Sequence, residues 1–108
     1  MEMVNLTEEL YNTGKRLKNG SDELYRLAKK KAETERDYRL AMYRHIMELR
    51  GEGHAVTLVG DLARGRCAQE KFNRDLADLQ YVAAKEGLEN LRVDVSALQT
   101  IMKYQNEV

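Results

Sequence analysis

Two histidines, one cysteine and several closely spaced carboxylates are the side chains of this chain best suited to chemistry. His45 and Glu48 stand three apart, so on a helix they share a face, and His54 and Cys67 lie near them in sequence. A di-iron bundle uses Glu-x-x-His twice with two further carboxylates. Here the order is reversed and the pattern occurs once, so His45 reads as part of a helix face near a hairpin tip, and no metal ligand is expected. Asp75 with Asp78, and Glu86 with Glu89, have the spacing by which all-helical nucleotide pyrophosphatases gather carboxylates around magnesium. Lys71, Arg74 and Lys85 interleave with them, and a charge-laced solvated face accounts for the pattern better. Cys67 follows Arg64 and Arg66, cations of the kind that lower a thiol pKa. No histidine and carboxylate are placed to complete a nucleophile, so a structural cysteine is expected. The sequence therefore predicts no catalytic residue, no metal and no cofactor, and a protein that is not an enzyme.

The basic clusters Lys15-Arg16-Leu17-Lys18 and Lys29-Lys30-Lys31 carry the one nucleic-acid signal. Lys18, Arg26, Lys29 and Lys30 could touch phosphates along one flank. Asp22, Glu23, Glu33 and Glu35 interleave with them, no aromatic platform accompanies them, and no helix-turn-helix signature stands out. The chain as a whole is neutral, with Lys plus Arg and Asp plus Glu at 18 each. A nucleic-acid-binding accessory of replication or recombination is thus the alternative, behind a protein-interaction role. A single cysteine excludes an intramolecular disulfide and a cysteine-based zinc site. No apolar run approaches the ~20 residues of a membrane span, and Met1 to Leu6 lack a basic then apolar leader pattern, so a cytoplasmic protein is expected.

The elements that must carry these residues are helical. The chain has no proline, one Phe and no Trp, and 33% of it is charged, a composition for slim, charge-laced helices rather than a broad core. A first short helix is predicted over about residues 6–18, capped by Asn5 and stopped at Asn19-Gly20. A long helix should follow over about 21–50, starting at Ser21 or Asp22, with Gly51-Glu52-Gly53 ending it. Residues 51–65 should form a hairpin tip, with Thr57 capping a short turn between breaks at Gly60 and Gly65. The last helix is predicted over about 66–105, on the order of 55–60 Å long. The whole is one all-α domain: an antiparallel long-helix hairpin with a short N-terminal helix.

Two apolar stripes overlap on the last helix. One runs through Phe72, Leu76, Leu79, Ala83 and Gly87; the other runs through Ala84 and Leu88; both continue into Leu91, Val95, Leu98 and Met102. Steps of three and four are helical spacing, and two shifted stripes make a face wide enough for two neighbours. Folding the long helices about the tip pairs residues whose numbers sum to about 115. Ala28 and Ala32 then face Ala83, Ala84 and Gly87, Arg36 meets Asp78, and Lys29 to Lys31 meet Glu86 and Glu89, giving an alanine-packed, salt-bridged waist. The stripe is predicted to outrun what one copy can cover. Leu88, Leu91, Val95, Leu98 and Met102 are accordingly expected to mediate self-association as a homodimeric helical bundle or coiled coil. His54, Val56, Leu58 and Val59, in the least helix-like apolar segment, are the candidate partner-binding tip.

From Glu35 to Gln105 the order of motifs resembles a family of small phage and prophage proteins of Gram-positive bacteria. Those motifs are Glu35-Arg36-Asp37-Tyr38-Arg39, Leu49-Arg50-Gly51-Glu52-Gly53, Thr57-Leu58, Asp61-Leu62-Ala63-Arg64-Gly65, Lys71-Phe72, Arg74-Asp75 and Ser96-Ala97-Leu98-Gln99. The resemblance implies a phage-encoded protein in the bacterial cytoplasm that binds a host or phage protein as an inhibitor or adaptor, including against defence machinery. It carries over no functional residue.

Overall fold

A computed structural model describes residues 3–107, with side chains over 5–106. It is all-α, a helical hairpin in which the long helices α1 (Met3–Gly51) and α3 (Ala68–Glu107) pack against each other, joined through the short α2 (Val56–Arg66). Among the described residues there is no strand. The chain divides into two compact units, a turn unit of Leu27–Tyr81 and a terminal unit of Met1–Arg26 with Val82–Val108.

The turn unit is built around the end of α1. Gly53 adopts φ 84°, the left-handed conformation that glycine takes without steric cost. The Gly53 N–H bonds to the Arg50 carbonyl at 3.1 Å and the His54 N–H to the Leu49 carbonyl at 3.3 Å. Those paired bonds form a Schellman motif, which satisfies carbonyls the helix end would otherwise orphan. The predicted stop at Gly51-Glu52-Gly53 is therefore real, and Gly53 is the residue that makes it. Three residues after Gly53 the chain is helical again. Ala55 occupies the N-cap position of α2 with no side-chain cap bond, and Thr57, expected to cap, lies inside the helix. Gly60 and Gly65 lie inside α2 as well, where breaks were expected. A glycine costs a helix about 1 kcal/mol relative to alanine. Here Val59 and Ala63 are buried against Leu49, with Met42 and Ile46 packed beside them, and that burial outweighs the cost. α2 passes into α3 through the single residue Cys67, whose N–H bonds to the Ala63 and Arg64 carbonyls and whose carbonyl accepts from Lys71 at 2.9 Å. The expected tip is thus mostly the start of the returning arm.

This moves the register. Lys31 pairs with Asp78 and Glu35 with Arg74, whereas a sum of 115 places Lys31 beside Ala84 and Glu35 beside Gln80. The shift of six residues (84 to 78, 80 to 74) follows from a turn centred on Glu52 to Ala55 instead of on the middle of residues 51–65. The salt-bridged waist exists with other partners. Arg36 pairs with its neighbour Asp37, Lys29 with Glu33, and the small residue buried there is Ala77.

In the terminal unit α1 runs straight through Asn19-Gly20, where a break was expected. Ser21 does not cap a new helix; its hydroxyl donates to the Leu17 carbonyl at 3.0 Å, a bond of a helix interior. Gly20 serves packing instead. A Cβ built there would lie 3.0 Å from Leu88 Cδ1, so a side chain at this position would require Leu88 to shift by a few tenths of an ångström. Leu6, Thr13, Leu88 and Leu98 are the buried side chains of this unit. Leu10, Leu17, Gly20 and Leu24 on α1, and Ala84, Leu91, Val95 and Met102 on α3, are half-buried among them.

Candidate functional site

The residues assigned to self-association line the seam within one copy. Leu88 packs at Gly20, Leu98 is buried, and Leu91, Val95 and Met102 are half-buried. Met102 borders one groove with Leu10, and Leu91 another with Gly20. Of the two overlapping stripes on α3, the one through Ala84 and Leu88 is the seam. Its steps of four and three extend back through Tyr81, Ala77, Arg74, Glu70 and Cys67, all buried or half-buried.

The other stripe is left on the outside. Phe72 is 59%, Leu76 40% and Leu79 66% exposed, and α2 adds Leu58 and Leu62, both exposed. Leu58, Leu62, Gly65, Gln69, Phe72, Leu76 and Leu79 succeed one another by four and three, the spacing of one helix face. On α1 a shorter outer row holds Leu40, Tyr43 and Met47, also exposed. Each row lies on the side of its helix turned away from the seam. A globular monomer's largest apolar patch is about 300–600 Å² and often functional. The α2–α3 row sets five large exposed apolar side chains, Leu58, Leu62, Phe72, Leu76 and Leu79, along one helix face.

Between the long helices of the turn unit lies a cleft of about 600 Å³ lined by Ala28, Lys31, Ala32, Glu35, Arg39, Arg74, Asp75 and Asp78. Its charges are taken up by one another. The Arg74 guanidinium stacks 4.3 Å from the Tyr38 ring centroid, lies 3.6 Å from Glu35 and donates to Asp75 at 3.1 Å. Lys71 reaches Asp75 at 2.8 Å, and Lys31 sits 3.3 Å from Asp78 and 5.0 Å from the Tyr81 ring centroid. Hydrogen bonds from Lys71 and Arg74 hold the Asp75 carboxyl below the usual aspartate range, and the bond to Asp75 raises Arg74 in turn. Asp78 is therefore a register pair of the hairpin, Asp75 is bound within α3 by Lys71 and Arg74, and a magnesium ion would have to displace three cations to use both. Glu89 is held by Arg92 in the terminal unit.

At the turn a chain of polar contacts links His45 to Glu48 at 3.2 Å, Glu48 to Arg66 at 3.8 Å, Arg66 to Glu52 at 3.3 Å and Glu52 to His54 at 3.0 Å. His54 and Arg66 together lower the Glu52 carboxyl. Among the described residues no group of three or more His, Cys, Asp or Glu could hold a metal ion. Cys67 is fully buried, and burial first, then the Glu70 charge, pushes its thiol up. The flanking arginines do not activate it: Arg64 is committed to Asp61, and Arg66 to Glu48 and Glu52.

Of the proposed tip residues, Val56 and Leu58 are exposed, His54 is tied to Glu52, and Val59 is buried against Leu49. Val59 offers a partner nothing, because it lies one turn before Ala63 on the face that closes over α1. Lys18, Arg26, Lys29 and Lys30 are all exposed, with Arg26 bound to Glu23 and Lys29 to Glu33 along their own helix. Lys31, from the same basic run, turns toward Asp78 and Tyr81. Sequence reasoning missed that Leu58 and Leu62 continue the Phe72 stripe; the signal was the unbroken alternation of four and three from Leu58 to Leu79. No helix of the described residues is long and apolar enough to cross a membrane. No family model, curated protein or solved structure matches the chain.

Proposed function

We propose that the protein is a non-enzymatic, all-helical interaction module whose outer apolar row, Leu58, Leu62, Phe72, Leu76 and Leu79, docks on another helical surface. The exposure of that row carries the reading. Its alternation of four and three is the spacing by which one helix face seats in another as a coiled coil, and burial is worth about 25 cal/mol for each Å² of apolar surface removed from water. In the setting that the phage-protein resemblance implies, the module acts in the bacterial cytoplasm as an inhibitor or adaptor on a host or phage protein. The test compares the wild type with Phe72→Glu as baits in extracts of a Gram-positive host. The expected result is a protein retained by the wild type, lost on Phe72→Glu and kept on the surface control Lys30→Glu. Retention by Phe72→Glu equal to the wild type overturns the reading. Loss on Lys30→Glu, with the binding abolished by raised salt, would favour the nucleic-acid alternative.

A further inference from the structure

We infer that the outer face of α1 between Arg36 and Arg50 is a second docking surface, and that its occupant is an acidic amphipathic helix of another protein. This face belongs to the other arm of the turn unit, so it is separate from the α2–α3 row. Three observations carry it.

The first is an apolar strip with no cover. Leu40, Tyr43 and Met47 follow one another by three and four residues and are 55%, 66% and 49% exposed. The second is charge. Over residues 36–50 the chain carries four arginines, no lysine and two carboxylates. Both carboxylates are taken: Asp37 accepts from Arg36 at 3.1 Å, and Glu48 lies 3.2 Å from His45 and 3.8 Å from Arg66. Glu35, just before the stretch, holds Arg39 at 2.9 Å. Arg44 and Arg50 are exposed and reach no carboxylate among the described residues. The third is where those two stand. At 100° per residue, Arg44 falls beside Leu40 on one border of the strip and Arg50 beside Tyr43 on the other. A partner helix that seats apolar residues on Leu40, Tyr43 and Met47 therefore brings its own flanking positions to both guanidinium forks. Carboxylates there gain charge-assisted, bidentate bonds, and amines are repelled. Tyr, Met and Arg are also the residue types enriched where proteins bury one another, and lysine is depleted there. The cations of α1 before residue 32 are by contrast mostly lysine. A nucleic acid would lay its phosphates across Leu40 and Met47, which offer neither a charge nor a ring to stack on.

The experiment titrates the full chain into labelled helical peptides about three heptads long, read by fluorescence anisotropy. One peptide has leucine along one face and glutamate on its borders; its twin has lysine in place of each glutamate. The wild type is expected to bind the glutamate peptide at least about tenfold tighter than the lysine twin. Arg44→Glu/Arg50→Glu is expected to reverse that preference, and its binding of the lysine twin shows that charge has changed and folding has not. Tyr43→Ser is expected to weaken the glutamate peptide at least about tenfold, and Phe72→Glu on the α2–α3 row to bind it as the wild type does. Circular dichroism should read equal helicity in all, since every position changed is exposed. No binding of the glutamate peptide up to about 1 mM, equal binding of the twins, or an unchanged preference in the arginine variant each overturns the inference. Loss on Phe72→Glu with Tyr43→Ser unaffected places the peptide on the α2–α3 row and overturns it too. Tighter binding of a labelled DNA duplex or of anionic lipid vesicles, lost on the same arginine variant, would assign the face to a polyanion instead and overturn the helix as occupant.

Discussion

Asp22→Pro separates a continuous α1 from one that restarts after Gly20. Had a helix begun at Ser21 or Asp22, residue 22 would sit in its first turn, where proline is tolerated because the missing N–H has no intrahelical partner. In the observed helix residue 22 is deep in the interior, nineteen residues past Met3. There the pyrrolidine removes the bond to the Lys18 carbonyl, clashes with that carbonyl and forces Ser21 out of the helical region. The expected loss is about 3 kcal/mol or more, a large part of the 5–15 kcal/mol typical of whole domains. For a chain near 100 residues this is a fall in Tm of more than about 10 °C. Asp22 is exposed, so Asp22→Ala is the matched control and should move Tm by no more than a few degrees. Thermal melts followed at 222 nm read both. A proline variant that melts within a few degrees of the alanine variant would refute the continuous helix and restore the break at Asn19-Gly20.

Gly14 and Gly20 make a second contrast. A Cβ at Gly14 meets nothing within 4 Å, so Gly14→Ala should gain about 1 kcal/mol of helix propensity; at Gly20 the contact with Leu88 Cδ1 should cancel or reverse that gain, and denaturant melts will rank the two. Leu49→Ala empties the packing of α1 against Val59 and Ala63 and should cost about 2–5 kcal/mol, read as a lower urea midpoint at unchanged slope, whereas Leu58→Ala on the outer row should stay within about 0.5 kcal/mol in the single chain. Glu52 is lowered by His54 and Arg66, so its folded form takes up a proton at lower pH than its unfolded form. Its contribution is complete above the unfolded glutamate value and is lost as pH falls through the folded one. Tm of the wild type should therefore fall more steeply on acidification than Tm of Glu52→Gln, and parallel curves would remove Glu52 from the acid response.

The helical class, the two arms and the end of α1 were legible because they rest on local signals. The absence of proline, the spacing of Leu88, Leu91, Val95, Leu98 and Met102, and a Gly-x-Gly stop each act through a few neighbouring residues. What was misread depends on partners distant in sequence. Asn19-Gly20 is a strong stop until Leu88 supplies a reason for glycine to stay helical. The two stripes on α3 are about equally apolar, and choosing the seam required knowing what α1 presents. α1 presents Lys31, Glu35 and Tyr38, which suit Asp78, Arg74 and Tyr81 and do not suit Phe72 or Leu79. With the stripe inverted, the outer row could not be found, although each of its residues had been noted. The register error has the same root. It came from treating α2 as a plug, when Leu49 draws Val59 and Ala63 into line as the first packed turns of the returning arm.

The turn at Gly53 also sets the order in which the ribosome can complete this molecule. Contacts that enclose the shortest stretch of chain close at the least entropic cost, so Leu49 can meet Val59 soon after both emerge. Gly20 must wait for Leu88, and Leu10 for Met102. At about 5–20 residues per second that delay lasts several seconds. The apolar face of the nascent amino-terminal third thus stays exposed to water for most of its synthesis.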